Sequence, residues 1–315
     1  MVQNNSLPLV SIVVVTYNSS STILETLDSI KAQTYRNIEL IVSDDHSTDN
    51  TREIVSVWVG VNKDRFVHSE LVTTDKNTGV AGNLNRGVEQ THGEWIKIFA
   101  ADDLLISTAV EEFVNFVQCD SQIRICISDL KLYTDEGVVS DKTREIYNNH
   151  FRCAQETYEQ QLNRIKYEMR FAGPGILFQR SLYDEVGGFQ VKYPYDEEWP
   201  FFYNVLKKGV RIYPIEKKLI KYRISSDSAC RKKENNGLSS RRVFFSNYDF
   251  FFDYPFHDLI NDRRYLLAWH MYLCYHALKF KYDSNNTLLS KVWGRIYLLF
   301  SPWAYLKALR IVGRY

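Results

Sequence analysis

Three short acidic runs hold most of the chemistry this 315-residue chain can offer: Asp44-Asp45, Asp102-Asp103 and Asp196-Glu197-Glu198. Paired carboxylates suit a hard divalent cation, Mn2+ or Mg2+, which takes oxygen ligands and shares them with substrate phosphates. A cation at Asp102-Asp103 would offset charge building on a departing diphosphate, although the pair also suits a helix cap before Leu104. A carboxylate at Asp44-Asp45 can accept the imide N–H of uracil while its neighbour faces a ribose. The run Asp-Asp-His-Ser-Thr-Asp has ordinary turn chemistry as well. The third run precedes Trp199, Phe201 and Phe202, which shield a carboxylate from water. Desolvation raises a carboxyl pKa and makes a better general base, while acids also complement the first turn of a helix. Lys76 and Arg86 are cations placed to face phosphate or solvent. Gly79, Gly82 and Gly87 do not form G-x-G-x-x-G, and no Walker A sequence occurs, which argues against nicotinamide and P-loop chemistry.

These residues need elements to hold them. Leu9–Thr16 is an uncharged β-branched run that reads as a buried strand, broken at Tyr17-Asn18. Ile23, Leu24, Leu27 and Ile30 then fall at helical spacing. Ile38–Ser43 predicts a second strand, Thr48–Val59 a helix capped by Thr48 or Asp49, and Arg65–Val72 a third strand. Asn77-Thr78-Gly79 predicts a loop, Ala81–Gln90 a helix and Glu94–Phe99 a fourth strand. Ser107–Cys119 follows as a helix, Ile123–Tyr133 as a strand, and 134–155 as a loop. Gly173-Pro174-Gly175 leads into the short apolar run Ile176–Phe178. Glu197–Lys208 predicts a helix, with Val210–Ile212 and Lys218–Tyr222 as short strands. Alternating strands and helices imply a doubly wound, mostly parallel α/β sheet. Ligands of such sheets bind beyond the carboxyl ends of the strands. Thr16-Tyr17-Asn18, Asp44-Asp45 and Asp102-Asp103 all follow such ends.

Composition bounds the rest. With 45% hydrophobic residues the chain can bury a core, and a net charge of +1 gives no field that favours nucleic acid. Five cysteines, an odd number without a C-x-x-C pair, argue against a disulfide framework and a zinc site and fit a reducing cytoplasm. No signal peptide and no apolar run of spanning length, about 20 residues, is visible.

Read together, the segments resemble family-2 inverting glycosyltransferases of the GT-A fold, a Rossmann-like architecture. The resemblance covers about residues 8–225. It runs through Pro8–Asn18, Ser29-Ile30-Lys31-Ala32-Gln33-Thr34-Tyr35, Ile41–Asp49 (close to the family's V-D-D-G-S-T-D), Asn77-Thr78-Gly79, Gly93-Glu94-Trp95-Ile96 and Asp102-Asp103. Gly187-Gly188-Phe189, Glu197-Glu198-Trp199 and Lys221-Tyr222-Arg223 continue it. The resemblance implies a nucleotide site made of Thr16, Tyr17, Asn18, Asp44, Asp45, Lys76, Arg86 and Asp102, with Asp103 as metal ligand and Asp102 a possible second. It implies Glu198 as catalytic base, with Glu197 and Asp196 as alternatives, and an acceptor region around Gly173, Pro174, Gly175 and Trp199. The first acid of the family's D-x-D-D motif falls on Ala100, a departure that leaves fewer metal ligands. No Q-x-x-R-W motif occurs, which disfavours a processive synthase.

The expected domains are a catalytic 1–225, divided into a nucleotide half at 8–105 and an acceptor half at 106–225, and a helical, aromatic and basic appendage at 226–315. Beyond Asp283 there is no acidic residue, yet Lys291, Arg295, Lys307, Arg310 and Arg314 alternate with Trp293, Tyr297, Trp303 and Tyr305. That composition fits an amphipathic helix at a membrane interface, or a helix packed on the catalytic domain. The resemblance then implies a UDP-sugar donor, an undecaprenyl-diphosphate-linked saccharide acceptor and a peripheral place on the inner face of the cytoplasmic membrane, in O-antigen or related polysaccharide synthesis. The competing class is a non-catalytic nucleotide-sugar-binding protein on a degenerate transferase fold, which Ala100 supports.

Overall fold

The computed structural model describes residues 7–134, 139, 151–168, 171–193, 195–224, 241–283 and 292. The chain divides into two compact units, residues 1–162 with 169–225, and residues 163–168 with 226–315.

The first unit is built on one eight-stranded mixed sheet. Its elements in chain order are β1 (Val10–Thr16), α1 (Ile23–Lys31), β2 (Ile38–Asp44), α2 (Thr51–Asn62), β3 (His68–Thr73), α3 (Gly79–Glu89), β4 (Trp95–Ala100), β5 (Leu104–Leu105), α4 (Ala109–Gln118) and β6 (Ile125–Tyr133). They continue with α5 (Tyr158–Ile165), β7 (Ile176–Gln179), α6 (Arg180–Val186), α7 (Glu198–Lys207) and β8 (Tyr213–Arg223). The strand order is β3-β2-β1-β4-β7-β6-β8-β5. β1 pairs in parallel with β2 and β4, and β2 with β3. The short strands β7 and β5 run antiparallel to their neighbours, so the sheet is doubly wound at one side and mixed at the other.

The core explains the strand pattern. Val10, Ile12 and Val14 point to one face, where Ile23, Leu27 and Ile30 of α1, Val55 and Trp58 of α2, and Phe113 of α4 cover them. Val13 points to the other face, under α3. A Cβ on Gly87 would lie 2.4 Å from Val13 Cγ1, so the glycine lets α3 close on the sheet. Both faces are therefore dry, and β1 reads as an unbroken apolar run instead of an alternating one.

Several boundaries differ from expectation for identifiable reasons. α2 begins at Thr51, not Thr48, because Asn18 Oδ1 takes the Thr48 N–H at 2.8 Å and Asp49 Oδ1 takes that of Thr51 at 3.0 Å. β3 begins at His68, since Lys63–Arg65 forms a 3-10 turn. Val210–Ile212 is not a strand, and Lys218–Tyr222 belongs to one 11-residue β8. The charged stretch Glu216-Lys217-Lys218 masks that strand in sequence, and it sits where β8 slips register against β6 around Asp129. α5 and α6, of eight and seven residues, are too short to show a convincing period. Residues 151–154 of the expected 134–155 loop form a helical turn.

The second unit contains α8 (Arg241–Asp253), α9 (Pro255–Asn261) and α10 (Tyr265–Asp283). Phe250, Phe251, Leu259, Ala268 and Leu273 are buried in it, and Phe251 stacks on Tyr275 at 4.7 Å. Lys166 forms an ion pair with Asp262, and the Arg264 guanidinium lies 5.6 Å from the centre of the Tyr167 ring. Cys230, residues 225–228 and the basic segment 285–315, apart from Val292, lie outside the described residues. No helix among the described residues is long and apolar enough to cross a membrane.

Candidate active site

Three polar segments meet at the carboxyl edge of the parallel strands. In register, Thr16 of β1 lies beside Asp44 of β2, and Val15 beside Ala100 of β4. The Asp45 N–H donates to Thr16 O at 3.0 Å and the Ala101 N–H to Val15 O at 3.2 Å, which continues the ladder past the strand ends. Tyr17 is exposed, while Thr16 is buried with its Oγ1 unpartnered. Asn18 holds a left-handed backbone at φ +52°.

The acids of this edge are engaged with protein donors. Asp44 accepts the Ser47 N–H at 2.9 Å and the Ser47 hydroxyl, with Arg52 Nε 3.8 Å away. Asp45 is buried. Its carboxylate accepts the Thr78 N–H at 2.9 Å, the Thr78 hydroxyl at 2.6 Å, the Gly79 N–H at 2.8 Å and Arg86 Nη2 at 2.9 Å. It thereby caps the start of α3 from a strand 33 residues earlier in the chain. Arg86 also donates to Thr78 Oγ1, Asn83 Oδ1 and Asp44 O, so it stands inside this network rather than open to phosphate. Lys76 is exposed on the preceding loop.

The β4 edge carries a different arrangement. Asp102 is half-buried, and burial raises its carboxyl pKa against the pull of Arg223. Asp103 is fully buried. Its Oδ1 accepts the Arg223 N–H of β8 at 2.9 Å, and its Oδ2 has no partner. Burial, and then the charge of Asp102, push Asp103 well above the usual carboxyl range. Sequence reading passed over Lys97, although a lysine in the run Trp-Ile-Lys-Ile-Phe was a visible signal. Lys97 is fully buried and donates to Ile98 O at 2.8 Å and Pro174 O at 2.6 Å. Burial lowers its pKa to about 7, with the charge of Asp103 opposing the fall.

Pro174 leads to the third cluster. The Gly173 N–H donates to the Glu198 carboxylate, and a Cβ on Gly173 would lie 2.0 Å from Glu198 Oε1. Only glycine admits the carboxylate there. Burial, and next the charges of Glu197 and Asp196, raise Glu198 from the usual 4.5 to about 8. Burial also raises Asp196 to about 7, with Glu197 adding to it. The geometry separates these acids. The Asp196 carboxylate takes the Trp199 N–H in the first turn of α7, whereas Glu198 faces the Gly173 loop. Burial raises Glu197 as well. Trp199 is buried, with Gly173 and Gly175, so the acceptor-region residues form the wall of the cluster rather than an exposed platform. Lys97, which feels the charge of Asp103, thus bonds the Pro174 carbonyl of the same loop whose Gly173 meets Glu198.

No group of three or more His, Cys, Asp or Glu residues that suits a metal occurs among the described residues. Half-buried Asp102 and the unpartnered Asp103 Oδ2 nonetheless fit a cation that draws its remaining oxygens from a diphosphate, the usual habit of Mg2+.

Comparison with known proteins agrees with this architecture. The sequence model of Glycosyl transferase family 2 matches residues 11–187, more than half of the chain. An uncharacterized glycosyltransferase of Rickettsia felis is 27% identical over 73% of this chain and 36% of its own length. The UDP-Glc:alpha-D-GlcNAc-diphosphoundecaprenol beta-1,3-glucosyltransferase WfaP of Escherichia coli is 26% identical over 64% of this chain and 72% of its own. Among solved structures, S. aureus TarS 1-349 in complex with UDP-GlcNAc superposes with a TM-score of 0.56 at 20% identity, over 76% of this chain and 64% of that one. The chain therefore spans about a third of the first of these relatives and under two thirds of the TarS chain, and the TarS likeness bears on the fold. On the family match and the sheet that carries it, this chain belongs to Glycosyl transferase family 2 and is a glycosyltransferase of GT-A fold.

Proposed function

We propose that the chain is an inverting transferase that moves a hexose or N-acetylhexosamine from a UDP-sugar to a hydroxyl of a saccharide acceptor, with Glu198 as base. The observation that carries this reading is the Glu198 carboxylate. It is seated against Gly173, raised by burial into the range of a useful base, on a loop that Lys97 of β4 ties to the sheet through Pro174 O.

The acceptor oxygen attacks the anomeric carbon as its proton passes to a Glu198 oxygen. The bond from that carbon to the diphosphate oxygen breaks on the opposite face, and the electron pair leaves with the nucleoside diphosphate. One in-line displacement inverts the centre. Asp102, with Asp103 beside it, would hold Mn2+ or Mg2+, whose chemistry is to neutralise charge on the leaving diphosphate. Thr16, Tyr17 and Asn18 border the nucleotide. Asp44 and Asp45 shape its pocket by fixing the turns around it, because their oxygens already serve Ser47, Thr78, Gly79 and Arg86. Arg86 acts through Asp45, and Lys76 is the cation left open to phosphate.

WfaP's name supports a UDP-sugar donor and an undecaprenyl-diphosphate-linked acceptor in polysaccharide synthesis. An acceptor of that kind lies at the inner face of the cytoplasmic membrane, and the basic aromatic sequence 285–315 suits the same surface. Glu198→Gln is the direct test. Turnover of the cognate donor and acceptor should fall by about 10²–10⁴ with UDP binding kept, the range general base catalysis supplies. Near-normal turnover would rule out Glu198 as the base.

A further inference from the structure

Resting on the proposal that Glu198 is the base, we infer that Lys97 is the positioning residue that sets it: the lysine side chain holds the Gly173-Pro174-Gly175 turn to β4, and through that turn it seats the Glu198 carboxylate. The need for such a clamp lies in the sheet. β7 pairs with β4 at Trp95↔Gln179 and Ile96↔Phe178, and the ladder ends there. Beyond that point β7 continues on β6, with Leu177 beside Cys126 and Ile176 beside Ile127. Lys97 is the next residue of β4. Its Nζ donates to Ile98 O at 2.8 Å and to Pro174 O at 2.6 Å, so a side chain joins β4 to the turn past the last ladder pair. Pro174 has no N–H, and its carbonyl is the one backbone group it can offer. On the other side the turn presses on β6, where a Cβ on Gly175 would lie 2.5 Å from Ser128 O. Held between β6 and the lysine, the turn presents the Gly173 N–H to Glu198.

The lysine is costly where it stands. It is fully buried beside Ile12 of β1, with Nζ 5.2 Å from the centre of the Phe99 ring and 5.9 Å from that of Phe113. Methionine would fill the same space without taking an ionisable group out of water. A strand flanked by Ile96, Ile98 and Phe99 needs only an apolar side chain to pack, so the polar head has another task. Pro174 is half-buried. Released from the lysine, its carbonyl can turn to water, which shifts the turn without unfolding the sheet.

Urea unfolding of the whole chain at pH 5 and pH 8 tests this without substrate. In the wild-type background Glu198→Gln should gain stability as pH rises, because the buried carboxyl ionises at a cost and the amide does not. In the Lys97→Met background a loosened turn hydrates the carboxylate, and the shift in urea midpoint that Glu198→Gln produces between the two pH values should fall to about half or less. Glu197 and Asp196 are present in every chain compared and cancel in the difference. Loss of the lysine charge acting directly on Glu198 would enlarge the shift, so its sign separates the two routes. Lys97→Gln keeps an N–H for one carbonyl on a shorter stem and should fall between. UDP release from UDP-glucose and from UDP-N-acetylglucosamine with Mn2+ gives the second readout: in Lys97→Met kcat should drop about 10–100-fold while UDP affinity by calorimetry stays within about threefold. The same Glu198→Gln shift in both backgrounds, or an unchanged kcat in Lys97→Met, would overturn the role of Lys97 alone. A Glu198→Gln chain that shows no shift in the wild-type background would overturn the reading of Glu198 as a desolvated base, and this inference with it.

Discussion

Replacing Glu198 by Gln tests the active site through stability, independently of any substrate. In the folded chain burial and neighbouring acids raise the Glu198 carboxyl from 4.5 to about 8. A raised folded pKa means that folding favours the protonated form. The contribution to stability is therefore complete below the unfolded value and is lost as pH rises toward 8. Fully expressed, a rise of that size would cost the wild type about 4 kcal/mol at pH 8. The residue as a whole is half-buried and its carboxyl shares its rise with Glu197 and Asp196, so about 1–3 kcal/mol is the expected effect. Gln keeps an oxygen for the Gly173 N–H and has nothing to ionise. Urea unfolding at pH 5 and pH 8 should show near-equal stability at the lower pH and a more stable variant at the higher. Wild-type turnover should rise with pH over the same window, as the base ionises. A variant that gains nothing between pH 5 and pH 8 would refute the claim that this carboxylate is desolvated.

Gly173→Ala places a Cβ where Glu198 Oε1 now lies, 2.0 Å away, so kcat should fall by about 10–100-fold while the thermal midpoint moves by a few degrees at most; an unchanged kcat would remove the loop from the mechanism. Asp102→Asn should raise the Mn2+ concentration needed for half-maximal turnover by about tenfold or more, measured by metal titration, and an unaltered metal response would exclude Asp102 as a ligand. Deleting 285–315 should abolish sedimentation with anionic vesicles at low salt; a full-length chain that never sediments with them would dismiss the interfacial role of that segment.

How much could be read before the fold was known depended on whether the information was local. β1, β2 and β4 are unbroken apolar runs because both faces of the sheet are covered, and their polar ends are visible as Thr16, Asp44-Asp45 and Asp102-Asp103. What the acids do at those ends was hidden, because their partners are remote. Nothing near Asp45 announces Thr78 and Arg86, and nothing near Asp103 announces the Arg223 backbone. The start of α2 was misplaced for the same reason, since Asn18 takes the first N–H groups from another loop. For the run 196–198 the resemblance favoured Glu198 with Glu197 and Asp196 as alternatives, but the residues alone gave no physical ground for the order. One hydrogen bond to Trp199 and one close approach to Gly173 distinguish Asp196 from Glu198. Lys97 was legible as an anomaly, but only the fold reveals that it ties β4 to the Gly173 loop.

The clasp between β8 and the β4 edge bears on the order in which the molecule is made. The Arg223 N–H reaches back 120 residues to Asp103, and its guanidinium reaches 198 residues to Glu25. The parallel strands β1 to β4 leave the ribosome well before β8 and can gather around their own core, but the acid at their rim waits for that later strand. Closing loops of that length comes late in folding. A chain interrupted shortly before Arg223 would hold much of the nucleotide half in place and still lack the brace that orients Asp103, so competence for catalysis would arrive with the last strand of the sheet.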